Sequence, residues 1–486
     1  MDWNLKNRER QIATALCVFF FTASSAIRYI ALAQTPYPNG WDGYYYVMQA
    51  HSWINYGHLQ SADFSLIYPY FITFSYLIKD YELAFKIGAA ILSGGLVVSS
   101  FVFIHKVSKN IYAAVLAASF LLFSPTLTYI TSQFPKNMMG MIVLIFFLLA
   151  IHNKNIKASV LLFLLSLFTH RMIAGLCLIG LALSVAQYVN WKWTAAGVAT
   201  IIALSFLPGV IHFSDLNRFN GQFQLVPQLA PVSFFSVYKQ SISTLWAVEL
   251  IILSVLILVI IYHILRSKRI FNTALNHRLI WTLLLFLSIF PFFKISFGSM
   301  GYRFFMLAPL LFSLYFLCSV EIKREWAIAL SFVFIACSAF SYRSYNPKFF
   351  DPPNKLYEII VSRLEKQYSA KDYPLVIAHK SLAEMIIYKT DFDALNWVPP
   401  KKYDKQRILR IINGVDLIHF SRYMNENEMA SIKKLTLHYY ITSESNWTIF
   451  LKRVESNNDE QLIRIIEKGN NPMEERPYFL RKGKNL

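Results

Sequence analysis

The stretch IATALCVFFFTASSAIRYIALA, residues 12–33, carries one charge, Arg28, and follows a basic start with Lys6, Arg8 and Arg10. At 1.5 Å rise per residue such a run crosses a hydrocarbon core of about 30 Å. It is too long for a signal-peptide core and shows no clear small-residue cleavage site, so it reads as a retained transmembrane helix. Working outward, further apolar runs lie at 83–104, 111–129, 138–151, 158–168, 172–189, 194–211, 242–265, 279–293, 304–320 and 326–340. Without water to satisfy backbone groups, runs of this length are helices. The expectation is an all-α polytopic membrane domain of about 11 transmembrane helices over residues 1–341.

Composition agrees. Of 486 residues, 55% are hydrophobic, 16% aromatic and only 15% charged, too apolar for an ordinary soluble chain. Residues 342–486 hold 24 Lys and Arg and 18 Asp and Glu, more than half of all charges, which marks a second region. The net charge of +19 would suggest nucleic acid in a soluble protein. Here the basic residues fall largely between apolar runs, where they set orientation, and no nucleic-acid partner is expected. The four cysteines lie inside apolar runs without pairing or metal-ligand spacing.

With a cytoplasmic N-terminus, the inner loops collect Lys106, Lys109, Lys154, Lys157, Lys192, Arg266, Lys268, Arg269, Arg278, Lys323 and Arg324, leaving the outer loops nearly bare. Residues 158–189 are too long for one span, and the charge pattern favours a reversal at His170 and Arg171. The C-terminal region then lies outside a plasma (inner) membrane. Its short apolar runs at 375–378 and 417–420, helical patterns at 382–388, 426–435 and 460–468, and paired strands at 439–441 and 447–451 predict a small α/β extracytoplasmic domain. It has no phosphate loop, metal-spaced cluster or nucleophile elbow.

The first outer loop, 34–80, is long for a connection, and such loops usually carry function. A helix from about residue 42 places Asp42, Tyr46, Gln49 and Trp53 on one face and Tyr44, Val47, Ala50 and Ile54 on the other, predicting an interfacial helix. The apolar segment 66–78 is too short to cross and is expected to dip into the outer leaflet.

Asp42 follows Trp41 and precedes Gly43 and three tyrosines. A carboxylate there can act as general base on a hydroxyl, with Trp41, Tyr45, Tyr46 and Gln49 receiving a sugar. The same residues equally fit an interfacial aromatic belt with a helix-capping aspartate. Basic groups on the outer side, Lys136, His170, Arg171 and Arg303, are candidate phosphate ligands, set against snorkelling for Arg303 and turn-capping for His170.

The order of these pieces resembles the GT-C glycosyltransferases, which include protein mannosyltransferases, lipid A aminoarabinose transferases and oligosaccharyltransferase catalytic subunits. The resemblance covers roughly residues 10–340 and rests on the basic start and first span, on WDGYYY at 41–46 opening a long outer loop, on the Pro69 segment, and on GYRFFMLAP at 301–309. It implies an inverting transfer from a polyprenyl-phosphate-sugar donor to a glycan, lipid or protein acceptor at the outer face of the cell envelope. Asp42 would serve the acceptor and Arg303 the leaving phosphate. Metal-using members carry an acidic motif in the second outer loop, where this chain has Ser132-Gln133-Phe134-Pro135-Lys136-Asn137. That departure argues against a divalent metal, and no other cofactor is expected; Lys136 is the candidate replacement for the missing charge. Two other classes remain alternatives: a multi-pass lipid flippase or transporter, and an outer-face polysaccharide polymerase or ligase.

Overall fold

The computed structural model describes residues 2–60, 65–185, 244–266, 306–319, 322–367, 375–378, 380–390, 392–396, 408–413, 440–444 and 447–453. In chain order its helices are α1 (Asp2–Leu32), α2 (Gly43–Tyr56), α3 (Ile67–Ile78), α4 (Tyr81–Ser108), α5 (Ile111–Phe123), α6 (Pro125–Gln133), α7 (Pro135–His152), α8 (Ile156–Thr169), α9 (Arg171–Val185), α10 (Thr244–Arg266), α11 (Ala308–Ser319), α12 (Arg324–Ser338), α13 (Pro347–Phe350), α14 (Asn354–Gln367) and α15 (Lys380–Lys389). Strands β1 (Leu375–Ala378), β2 (Asp393–Asn396), β3 (Ile408–Asn413), β4 (Tyr440–Glu444) and β5 (Trp447–Arg453) complete the described elements. The chain divides into two compact units. The first comprises Met1–Thr35, Ser65–Ile67 and Lys86–Phe349; the second comprises Pro36–Phe64, Tyr68–Phe85 and Phe350–Leu486.

The expected apolar runs are helical over most of their described residues, with a break in 111–129; the runs 194–211 and 279–293 lie outside the described residues. Among the described residues three helices, Asn7–Leu32, Tyr81–Ser108 and Pro135–His152, are long and apolar enough to cross a membrane, with a fourth if α5 and α6 form one bent span. Large apolar side chains stand more than 60% exposed on α1 (Val18), α8 (Leu161), α10 (Ile251) and α12 (Phe332). Faces this apolar and this exposed are compatible with membrane insertion.

In the first unit α1 buries Phe20, Ser24, Arg28 and Ala31, positions one turn apart on a single stripe. Ser24 and Ser93 of α4 share a hydroxyl hydrogen bond of 2.9 Å. Next to it Gly94 lies so close to α1 that a Cβ would stand 2.8 Å from the Phe21 carbonyl oxygen. Small residues let membrane helices approach in this way. Gly94→Ala is therefore expected to cost about 1–3 kcal/mol, the range for overpacking. Trimming Ser25 to glycine should not rescue it, because the obstacle is backbone; thermal melting of the detergent-solubilised pair checks this.

Helix α12 packs on α5, with the Phe334 ring 5.5 Å from Phe120 and 5.8 Å from Phe123, and Arg324 lies 5.0 Å over the Tyr112 ring. Helices α7, α8 and α9 pack together. Between α8 and α9 stands His170, in extended conformation, at the position where a reversal was expected.

The run 111–129 was expected to be one continuous span, and it is broken. Pro125 has no N–H and disfavours helical backbone at Ser124, whose φ of −49° and ψ of 112° turn the chain. α5 and α6 consequently meet at 60°. The carbonyl that Pro125 leaves without its usual donor is Leu121 O. Arg28 supplies one, its Nη2 lying 3.0 Å from Leu121 O and 3.1 Å from Ser124 O, while Nη1 donates to Ser341 Oγ at 3.2 Å. On the other side of the break, Glu249 of α10 accepts from the Ser124 hydroxyl, from Thr126 N at 3.0 Å and from Thr126 Oγ1 at 2.6 Å. Arg28 and Glu249 are 0% and 1% exposed, so neither snorkels to the surface.

The second unit contains a five-stranded sheet in the order β2-β1-β3-β5-β4. β1 pairs in parallel with β2 and β3, while β5 runs antiparallel to both β3 and β4. β1, α15 and the β4–β5 pair fall where the sequence predicts them. β2 and β3 were not foreseen, and the patterns at 417–420, 426–435 and 460–468 lie outside the described residues.

Candidate active site

Asp42 occupies the N-cap position of α2 yet makes no side-chain cap hydrogen bond. The turn leading into it is tight. A Cβ on Gly43 would come within 2.9 Å of the Pro38 carbonyl carbon and oxygen, so the residue after the aspartate has to be glycine. Gly40 N donates to Asp351 Oδ1 at 2.6 Å, tying the turn to the segment before α14. Thus the aspartate faces away from the helix it begins.

What it meets is Lys380, the first residue of α15, whose Nζ lies 2.5 Å from Asp42 Oδ1. The lysine also sits 4.9 Å over the Tyr45 ring, and Ser381 Oγ donates to Trp41 O at 3.1 Å. The Tyr45 hydroxyl shares a hydrogen bond with that of Tyr68. Both members of the ion pair remain about one-third exposed, at 31% for Lys380 and 30% for Asp42, so solutes can reach them. Trp41, Asp42 and Tyr45 thus surround the start of α15, where Lys380 and Ser381 contact all three.

One turn along α15 from Lys380 stands Glu384, fully buried, with Lys380 Nζ at 3.8 Å, beyond hydrogen-bond distance, and among the described residues no hydrogen-bond donor to either carboxyl oxygen. Burial pushes its carboxyl well above the usual carboxylate range; Lys380 opposes the shift and the Asp42 charge adds to it. Two acids thus address one ammonium. The same face of α15 continues to Tyr388, whose ring lies 5.9 Å from Tyr44 and 5.4 Å from His51. At the end of the helix Lys389 pairs with Glu82 at 2.7 Å, and the Tyr44 hydroxyl donates to the same carboxylate oxygen at 3.3 Å. Burial, reinforced by the Glu82 charge, pushes the Tyr44 hydroxyl pKa up and keeps it a donor. Burial also lowers His51, leaving its ring neutral.

The face assignment along α2 needs correction. Tyr46 is 5% exposed and packs on Phe71 and Phe85 at 5.4 and 5.9 Å, making it core rather than a sugar platform. Gln49 is fully buried and its Oε1 accepts from Gln60 N at 2.8 Å, which fixes the following turn. Helix α2 is covered by α15 on one side and by the Phe71 and Phe85 rings of α3 and α4 on the other. Only toward its end does a large side chain emerge, Trp53 at 44% exposure.

The remaining candidates belong to the first unit. Lys136 is half-buried in the first turn of α7. His170 is 9% exposed; its backbone N–H donates to Ser166 O and its carbonyl accepts from Ala174 N, each at 3.0 Å, so it links α8 to α9. Arg171 begins α9, and Arg303 lies outside the described residues. Among the described residues no group of three or more His, Cys, Asp or Glu gathers as a metal site. The signal that could have found Glu384 was legible: an acid inside Leu382-Ala383-Glu384-Met385-Ile386, one turn from a lysine. No protein-family model matches the chain, and no curated protein matches it.

Proposed function

We propose that the protein is an integral membrane glycosyltransferase of the GT-C kind, inverting, transferring a sugar from a polyprenyl-phosphate-linked donor to an acceptor hydroxyl at the outer face of the membrane. The observation that carries this reading is Asp42: a carboxylate at a helix start that is not spent as a cap, is reachable, and lies among Trp41, Tyr45 and Lys380. In the reaction Asp42 takes the proton of the acceptor hydroxyl as its oxygen bonds to the anomeric carbon. The bond to the phosphate oxygen breaks, and polyprenyl phosphate leaves with the electron pair. Aromatic faces beside the carboxylate suit a sugar ring. Basic groups at fixed places suit the leaving phosphate, the role proposed for Arg303, Lys136, His170 and Arg171. The chain crosses a plasma (inner) membrane about eleven times from a cytoplasmic N-terminus, and residues 342–486 form a small α/β domain on the outer side.

The decisive experiment incubates the purified protein with a panel of polyprenyl-phosphate sugars and follows release of the lipid phosphate, wild type beside Asp42→Asn. The reading needs no metal. Full turnover in chelator together with loss of activity in Lys136→Ala is the expected result, and chelator-sensitive turnover opposes it.

A lipid flippase or transporter is the second reading, and the broken α5–α6 pair favours it, since discontinuous helices commonly bind cargo in transporters. Against it, the ends at this break are already engaged by Arg28 and Glu249. Lipid movement without sugar transfer in reconstituted vesicles would establish it.

A further inference from the structure

Helix α15 puts one ammonium between two carboxyl groups of different surroundings. Asp42 is partly exposed and 2.5 Å from Lys380 Nζ. Glu384 is fully buried, 3.8 Å from the same nitrogen, and among the described residues neither of its oxygens has a hydrogen-bond partner. A buried carboxyl without donors is a costly place for a negative charge. It is retained here one helical turn from Lys380, on the face that α15 presents to α2. We propose that Glu384 is a positioning residue for the Asp42–Lys380 pair: neutral, it leaves the ammonium to Asp42; ionised, it draws the ammonium inward and loosens that hold.

The charged groups acting on Glu384 among the described residues are Lys380 of its own helix and Asp42 at the start of α2; α14, β1 and β2 also pack on α15. Because burial holds the Glu384 proton more tightly in the folded chain than in the unfolded one, its contribution to stability is fully present below the ordinary glutamate pKa. That contribution is lost as pH rises through the raised folded value. Over the same interval Lys380 gains a second carboxylate. On the transferase reading, Asp42 then becomes a stronger base, and turnover rises with pH. The geometric claim does not depend on that consequence.

The test is a set of thermal melts of the full chain in detergent, from just above the ordinary glutamate pKa upward in pH for as long as the protein stays folded, on wild type, Asp42→Asn, Glu384→Gln and the double variant. Near the acid end Asp42→Asn should lower Tm by about 1–2 °C, roughly half the shift that a lost charge pair gives in chains of about 150–250 residues. That loss should shrink as pH rises, because Lys380 then finds Glu384. In the Glu384→Gln background the loss should be the same at every pH. A loss independent of pH in the presence of Glu384, or an equal pH dependence in its absence, overturns the proposal. If Glu384→Gln does not fold, the pH dependence of Asp42→Asn alone decides. Turnover is the separate arm: wild type should show a rise with pH that Glu384→Gln lacks, and parallel profiles overturn the positioning role. Absence of turnover in wild type with every donor defeats the transferase reading and leaves the melting result to judge the geometry.

Discussion

Asp42→Asn is expected, on the proposed transferase reading, to lower release of polyprenyl phosphate by about 10²–10⁴-fold, the usual contribution of a positioned general base. The fall should appear in kcat with KM little changed, since the amide keeps the shape of the site and loses only the ability to take a proton. The fold should survive for a reason particular to this site. Removing the Asp42 charge removes one of the influences that raise Glu384, so the neighbouring acid ionises more readily and compensates Lys380. A structural aspartate would behave in the opposite way, with a large drop in melting temperature and an unchanged specific activity per folded molecule. Equal release by the two proteins removes Asp42 from the mechanism.

Much of the helical region was readable because apolar run length is a one-dimensional signal: α1, α4, α7, α8, α9, α10 and α12 all fall on runs that length and composition predict. The break at Ser124–Pro125 was written in the proline and was outvoted by the apolar residues around it. The site was legible on only one side. WDGYYY at 41–46 drew notice because an acid among aromatic residues after a first span is unusual. Lys380 and Glu384 did not, since their meaning arises from the docking of α15 on α2, more than 300 residues apart in the chain. Tyr46 and Gln49 were misassigned for the same reason: helical periodicity tells which residues share a face, while the covering of that face is decided by segments elsewhere. The aspartate's choice between capping and pairing is also tertiary, because a cap competes with any stronger partner the fold delivers.

Arg28→Ala is expected to cost about 3–5 kcal/mol, the scale for removing one member of a buried charged network. It removes the guanidinium bonds to Leu121 O, Ser124 O and Ser341 Oγ, leaving Leu121 O with the longer 3.3 Å bond from Ser124 N and Ser124 O with those from Thr128, and it leaves Glu249 without its cation. Arg28→Lys should recover little, because a single ammonium cannot reproduce the planar fork that reaches two carbonyls and a hydroxyl together. The arrangement also specifies a sign at each end of the break. Helix α5 ends in carbonyls, carrying partial negative charge, and faces a guanidinium; helix α6 begins with N–H groups, carrying partial positive charge, and faces a carboxylate. If attraction between Arg28 and Glu249 were what held the kink, exchanging them as Arg28→Glu with Glu249→Arg would restore stability. On the geometry of the break the exchange should be worse than either single change, since each charge would then oppose the helix end it touches. Replacing both by methionine should cost less than the exchange, because no charge is left against the wrong terminus. Melting temperatures of the exchanged, doubly neutral and wild-type proteins in one detergent separate the two accounts, and a wild-type melting temperature in the exchanged protein would show that the helix ends are not what these charges serve.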